Sequence, residues 1–141
     1  MARKNIWIFG PPGCGKSMWA HQQAAEDEIY LKNINKWWDG IEIDNTDTVV
    51  LDEMNPGKCL LADQLKDWGD RFPFTAEIKG SAITINPGKF NLIITSNYSI
   101  EQCFENKEDQ EAIKRRFHEV YIKDRFDIFL LTTVNKDLLD K

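Results

Sequence analysis

The chain has 141 residues, room for one domain around one core but not for a second of full size. Its 42% hydrophobic and 29% charged residues suit a soluble globular protein; no apolar run approaches the ~20 residues of a membrane helix, and Met1-Ala2-Arg3-Lys4 lacks the apolar stretch of a signal peptide. A net charge of -5 argues against a monomer that coats a duplex, so any nucleic-acid contact must come from a local basic cluster.

Asn5-Ile6-Trp7-Ile8-Phe9 is a short apolar run ended by Gly10-Pro11-Pro12-Gly13, the pattern of a buried strand and a tight turn. After Gly15, as far as about Glu28, there is no Gly or Pro and Ala recurs, which predicts a helix. Ile29 to Leu31 reads as a second short strand, and Trp37-Trp38-Asp39-Gly40 ends in a turn signal. Thr48 to Asp52 reads as a fully buried strand with acids at its end. Leu60 to Arg71 carries Leu60, Leu61, Leu65 and Trp68 at helical spacing.

Thr75 to Ile78 and Ala82 to Ile85 flank Lys79-Gly80-Ser81, a predicted β-hairpin. Asn86 to Lys89 is a second turn, and Phe90 to Ser96 a further buried strand ending at Asn97. Ser99 opens a short helix, Glu108 to Phe117 forms another, and Glu119 to Ile122 a strand. Asp127 to Val134 is apolar and reads as a last strand or a strap on the core; Lys136 to Lys141 reads as a frayed tail. Strands alternating with helices predict an α/β fold with a central, mostly parallel sheet flanked by helices and an inserted β-hairpin. One domain is expected over residues 1–141, with a core at about 5–122 and a strap and tail at 123–141.

Gly10-Pro11-Pro12-Gly13-Cys14-Gly15-Lys16-Ser17 matches G-x-x-x-x-G-K-[ST] in full. Glycines let backbone N–H groups turn inward around phosphate oxygens, and the helix that follows directs its positive end at the same anion. Lys16 is expected to reach the β- and γ-phosphates, and Ser17 to ligate Mg²⁺. Asp52, at the end of an apolar strand, is the candidate to hold Mg²⁺ through water, and Glu53 to orient or deprotonate the attacking water. Asn97, at another strand end, is placed to touch the γ-phosphate or simply to form a turn.

Arg115 and Arg116 end a helix, where they either complement its dipole or enter a neighbouring copy's site. Lys79 and Lys89 sit at the two turns around the hairpin, with Lys58 and Lys66 upstream. They are candidates to grip a phosphodiester backbone or to be solvated turn residues. Trp37 and Trp38 stack a base or pack on the core. Cys14, Cys59 and Cys103 lack metal-ligand spacing and read as reduced thiols.

In this order, the loop, the Lys36-Trp37-Trp38-Asp39-Gly40 segment, Val50-Leu51-Asp52-Glu53, the basic hairpin, Ile94-Thr95-Ser96-Asn97 and Arg115-Arg116-Phe117 resemble the superfamily 3 helicase domain. The closer resemblance is to the helicase domain of replication-associated proteins of circular single-stranded DNA viruses, such as circoviruses, over roughly Asn5 to Ile122. That resemblance implies a P-loop, AAA+-like ATPase that uses ATP and Mg²⁺ and moves along single-stranded DNA as a hexamer. It implies Asp52 and Glu53 as the Walker-B pair and Asn97 as sensor, with Arg115 or Arg116 as the finger given to a neighbour. It also implies a DNA-contacting hairpin with Lys79 and Lys89, and work in the host nucleus. Whole proteins of that family carry an endonuclease with a His-hydrophobe-His motif. This chain has only His21 and His118, far apart, so no endonuclease domain is expected within it. A small P-loop kinase and a non-catalytic ATP-switched assembly module are the alternatives.

Overall fold

The computed structural model describes residues 5–133. Its centre is a parallel sheet of five strands in the order β2 (Ile29–Leu31), β3 (Thr48–Met54), β6 (Asn91–Ser96), β1 (Asn5–Phe9) and β7 (His118–Tyr121). The hairpin of β4 (Phe74–Ile78) and β5 (Ser81–Ile85) forms a separate two-stranded sheet. Five helices complete the described fold: α1 (Lys16–His21), α2 (Ala62–Trp68), α3 (Ile100–Cys103), α4 (Lys107–Arg116) and α5 (Arg125–Thr133).

The sheet is apolar on both faces, and the period of two sorts its side chains. Trp7, Val49, Leu51, Leu92 and Ile94 enter one core, with Trp38, Leu65, Trp68 and Ile113. Ile6, Ile8, Val50 and Ile93 point the other way, onto Trp19, Ala20 and Leu131. One layer is therefore α1 with α5, and the other is α2, α4 and the hairpin. Each fully buried Leu or Ile contributes roughly 1.5–3 kcal/mol.

Four expectations change. The first helix ends at His21, short of Glu28. Gln22 and Gln23 donate to the carbonyls of Trp19 and Ala20, three residues back, and the Gln23 side chain takes the Trp19 oxygen as well. A single 3-10 turn, Glu26–Glu28, then leads into β2. The second helix divides into a 3-10 stretch, Pro56–Leu61, and α2, which stops at Gly69. Both acids lie within β3, which runs on to Met54.

The apolar segment after Asp127 is a helix and not a strand. Asp124 Oδ1 accepts from the Asp127 N–H while Asp127 Oδ2 accepts from the Lys123 N–H, so reciprocal capping starts α5. Val134 and the Lys136–Lys141 tail lie outside the described residues.

Candidate active site

Strand order decides which residues meet. β6 lies between β1 and β3, so Asn97 at its end falls between the loop after β1 and the acids of β3. All three emerge at the carboxyl edge of the sheet, where α/β folds bind ligands.

The loop begins with a close approach. The Gly10 N–H donates to the Ser96 carbonyl at 3.2 Å, and a Cβ at Gly10 would lie 1.8 Å from the Ile122 carbonyl oxygen. Gly15 takes φ 91 as the cap of α1, a left-handed angle that suits glycine. Lys16 is only 7% exposed. Its Nζ donates to the carbonyls of Gly10 at 2.8 Å and Pro11 at 2.7 Å, and to Asn97 Oδ1 at 3.3 Å. Burial holds its pKa below the usual lysine value.

A cleft of about 840 Å³ opens here, lined by Lys16, Ser17, Met18, Glu53, Asn97 and Tyr98 among others, with Pro12 and Gly13 on the loop side. Cys14 is a buried free thiol. Glu53 is exposed and takes φ 63, the one positive φ outside glycine among the described residues.

Asp52 is not among the residues lining that cleft. It borders a smaller groove of about 320 Å³ with Lys32, Asn33 and Glu53. Both its oxygens are engaged: Oδ1 accepts from the Thr95 hydroxyl at 2.9 Å, and Oδ2 from His21 Nε2 at 2.7 Å. Sequence reading gave neither residue a role beside Asp52. His21 gives no local signal, because it lies 31 positions from Asp52. Thr95 gives one: a hydroxyl inside an otherwise apolar strand.

The two arginines separate. Arg116 donates to the Ala112 carbonyl at 2.8 Å and to Asp70 Oδ2 at 3.1 Å, whereas exposed Arg115 makes no such bond among the described residues. Both lie far from the cleft of their own chain. Asn5, the first residue of β1, donates to the Arg116 carbonyl at 3.0 Å, while the loop follows the last. Five residues of strand span about 16 Å.

The lysines separate too. Lys79 is exposed at the hairpin tip. Lys89 is exposed in a 3-10 turn beyond the other end of β5, at the amino edge of the main sheet. They therefore do not form one patch. Lys66 is tied to Asp109 at 2.5 Å and Asp63 at 3.3 Å.

The tryptophan segment anchors the hairpin. Trp38 is fully buried against Trp68, Phe74, Phe90 and Tyr30. Its backbone N–H donates to the Glu77 carbonyl, and Asp39 Oδ1 accepts from the Lys79 backbone N–H. Lys32 braces the segment from within. Its Nζ, 4.6 Å from the Trp68 ring centre, donates to the carbonyls of Asn33, Asn35 and Trp37. Burial pushes its pKa down to about 8. Trp37 is half-buried, with Lys36 Nζ 4.6 Å from its ring centre.

A parallel sheet flanked by helices, with a glycine loop between β1 and α1, is the fold of a P-loop nucleoside triphosphatase. The C-terminal region of NrS-1, in its apo A form, shares the fold: TM-score 0.58 and 18% identity, over 97% of this chain and 34% of that one. The RNA helicase family profile matches residues 6–98. The replication-associated protein of Beak and feather disease virus is 37% identical over 114 residues, 81% of this chain and 37% of the relative. That of Porcine circovirus 1 is 39% identical over 98 residues, 69% and 30% respectively. The chain belongs to the RNA helicase family, in the superfamily 3 group found in viral replication-associated proteins, and so to a family of enzymes that use nucleotides. It spans about a third of the length of these relatives. No helix among the described residues is long and apolar enough to cross a membrane.

Proposed function

We propose that this chain is the motor domain of a viral replication initiator, hydrolysing ATP to move along single-stranded DNA. The observation that carries the reading is the contact of Lys16 Nζ with Asn97 Oδ1 in the cleft that Glu53 also lines. A buried cation, an amide and a free carboxylate converge on one volume large enough for a nucleotide.

In this reading Gly10 to Ser17 wrap the phosphates, and Lys16 exchanges its carbonyl partners for phosphate oxygens. The donors available to a metal are oxygens, which suits Mg²⁺: Ser17 would hold it directly and Asp52 through water. When bound, Mg²⁺ neutralises charge on the β- and γ-phosphates. Glu53 orients the attacking water and takes its proton. Asn97 senses the γ-phosphate.

Arg115 completes the site of a neighbouring copy. Its exposure, its lack of a partner among the described residues and its distance from its own cleft all support that role. A ring of six copies, assembled with the rest of the protein and working in the host nucleus, would give each cleft its arginine. Lys79 at the hairpin tip contacts the DNA backbone without reading sequence, and Lys89 has the weaker claim.

The test is ATP turnover with and without single-stranded DNA, for the wild type and for Glu53→Gln. The wild type is expected to be stimulated by DNA, and Glu53→Gln to bind ATP without hydrolysing it. Retention of full turnover by Glu53→Gln would sink the assignment. Phosphate transfer to a small acceptor, without stimulation by DNA, would favour a kinase.

A further inference from the structure

Thr95 is 3% exposed in a strand whose neighbours Leu92, Ile93 and Ile94 are all apolar, yet its hydroxyl makes two bonds across to β3. Oγ1 accepts from the Glu53 N–H at 3.1 Å and donates to Asp52 Oδ1 at 2.9 Å. A hydroxyl has one proton and the Glu53 amide can only donate to its oxygen, so that proton is left for Asp52.

The Glu53 end of this bridge is unusual. The pairing of β3 with β6 shifts between Leu51 and Met54, and Glu53 takes its left-handed φ of 63 within that shift. Such a conformation costs about 1–2 kcal/mol in a residue with a Cβ, and it persists only where its surroundings enforce it. Here the amide has left the ladder and is held by Thr95. The result is a division of the two acids. Glu53 lines the nucleotide cleft, while Asp52 is held between Thr95 and His21.

We propose that Thr95 is a positioning residue: its hydroxyl holds the left-handed turn that delivers the Glu53 carboxylate to the cleft and keeps Asp52 against His21. The catalytic part of this proposal rests on the reading of Glu53 given above.

Thr95→Val keeps the shape of the side chain and removes both bonds, whereas Thr95→Ser keeps both. Thr95→Val is expected to lower ATP turnover by about 10–100-fold, the loss of one or two hydrogen bonds to charged or strained groups, with ATP affinity nearly unchanged. Thr95→Ser should restore most of the turnover. Exchange of the Glu53 amide, followed by NMR against the Val50 amide as a reporter of global opening, should accelerate by about 10-fold or more in Thr95→Val alone.

Wild-type turnover in Thr95→Val, or an unchanged Glu53 amide, overturns the proposal. A wild-type chain that hydrolyses no ATP, alone or with single-stranded DNA, removes the hydrolytic reading and the catalytic part of this proposal with it. The amide exchange then still decides whether Thr95 holds Glu53.

Discussion

Lys16 Nζ stands 3.3 Å from Asn97 Oδ1, so two residues 81 positions apart share one hydrogen bond at the mouth of the cleft. The contact exists because β6 is the direct neighbour of β1. It puts the P-loop cation under the control of a second strand.

Removal of that cation tests the cleft directly. Lys16→Ala is expected to weaken binding of a fluorescent ATP analogue by roughly 10–100-fold, the range for charge-assisted hydrogen bonds. The fold should survive, since the variant leaves only the Asn97 amide and two loop carbonyls to be met by water. Unchanged affinity would move the nucleotide elsewhere.

Arg115 and Arg116 should respond in opposite ways. Arg116→Ala removes the bonds to Asp70 and Ala112, so it should cost about 1 kcal/mol and lower Tm by a few degrees. Arg115→Ala should leave Tm unchanged and reduce turnover. Mixed with Lys16→Ala subunits, Arg115→Ala subunits should regain part of the activity, because each supplies what the other lacks. An absence of rescue in assembled mixtures argues against donation between copies.

At the hairpin, Lys79→Ala is expected to weaken binding of oligo-dT and to reduce the slope of log K against log salt by about one. Lys89→Ala, at the opposite end of β5, should change either quantity less. Anisotropy titrations at several salt concentrations separate the two.

Lys32 links stability to pH. Its folded-state pKa is about 8, against roughly 10.4 for a free lysine. Between those values the unfolded chain binds more protons, so stability rises as pH increases from about 8 to 10.4, by an amount on the order of 3 kcal/mol at most. Lys32→Met should flatten that rise in urea denaturation curves measured across the window. An equal slope in the variant would assign the effect to another group.

Gly10 and Gly13 make a matched pair. Gly13→Ala meets no atom within 4 Å and carries only the strain of φ 81, about 1–2 kcal/mol. Gly10→Ala collides with the Ile122 carbonyl backbone as well, so its loss of Tm should be clearly the larger.

The loop, its strand, the hairpin and the strand that ends at Asn97 were legible because local chemistry fixes them. Turn residues stand at their ends, and apolar runs fill their middles. Features set by distant partners were not legible. His21 and Asp52 meet only because α1 packs over β3. Asp52 reads in the sequence as a strand-end acid suited to Mg²⁺; the histidine of the P-loop helix and the threonine of β6 that hold it come from distant elements.

Adjacent arginines look equivalent as letters, yet one position along a helix is a rotation of 100°, enough to turn Arg116 to Asp70 and Arg115 to solvent. The apolar run after Asp127 fits a strand as well as a helix. The two aspartates that cap α5 settle the matter at its start, outside the run itself.

Arg115 and Lys16 stand toward opposite edges of the same sheet. Any contact that brings one to the other across two copies joins unlike surfaces, so a dimer made this way keeps one unused arginine and one unused cleft. Adding copies only moves those loose ends apart until curvature brings the last onto the first. Closure, rather than pairing, is then the step at which every cleft becomes equivalent. A single copy that lacks Arg115 leaves its mark on the copy next to it and not on itself.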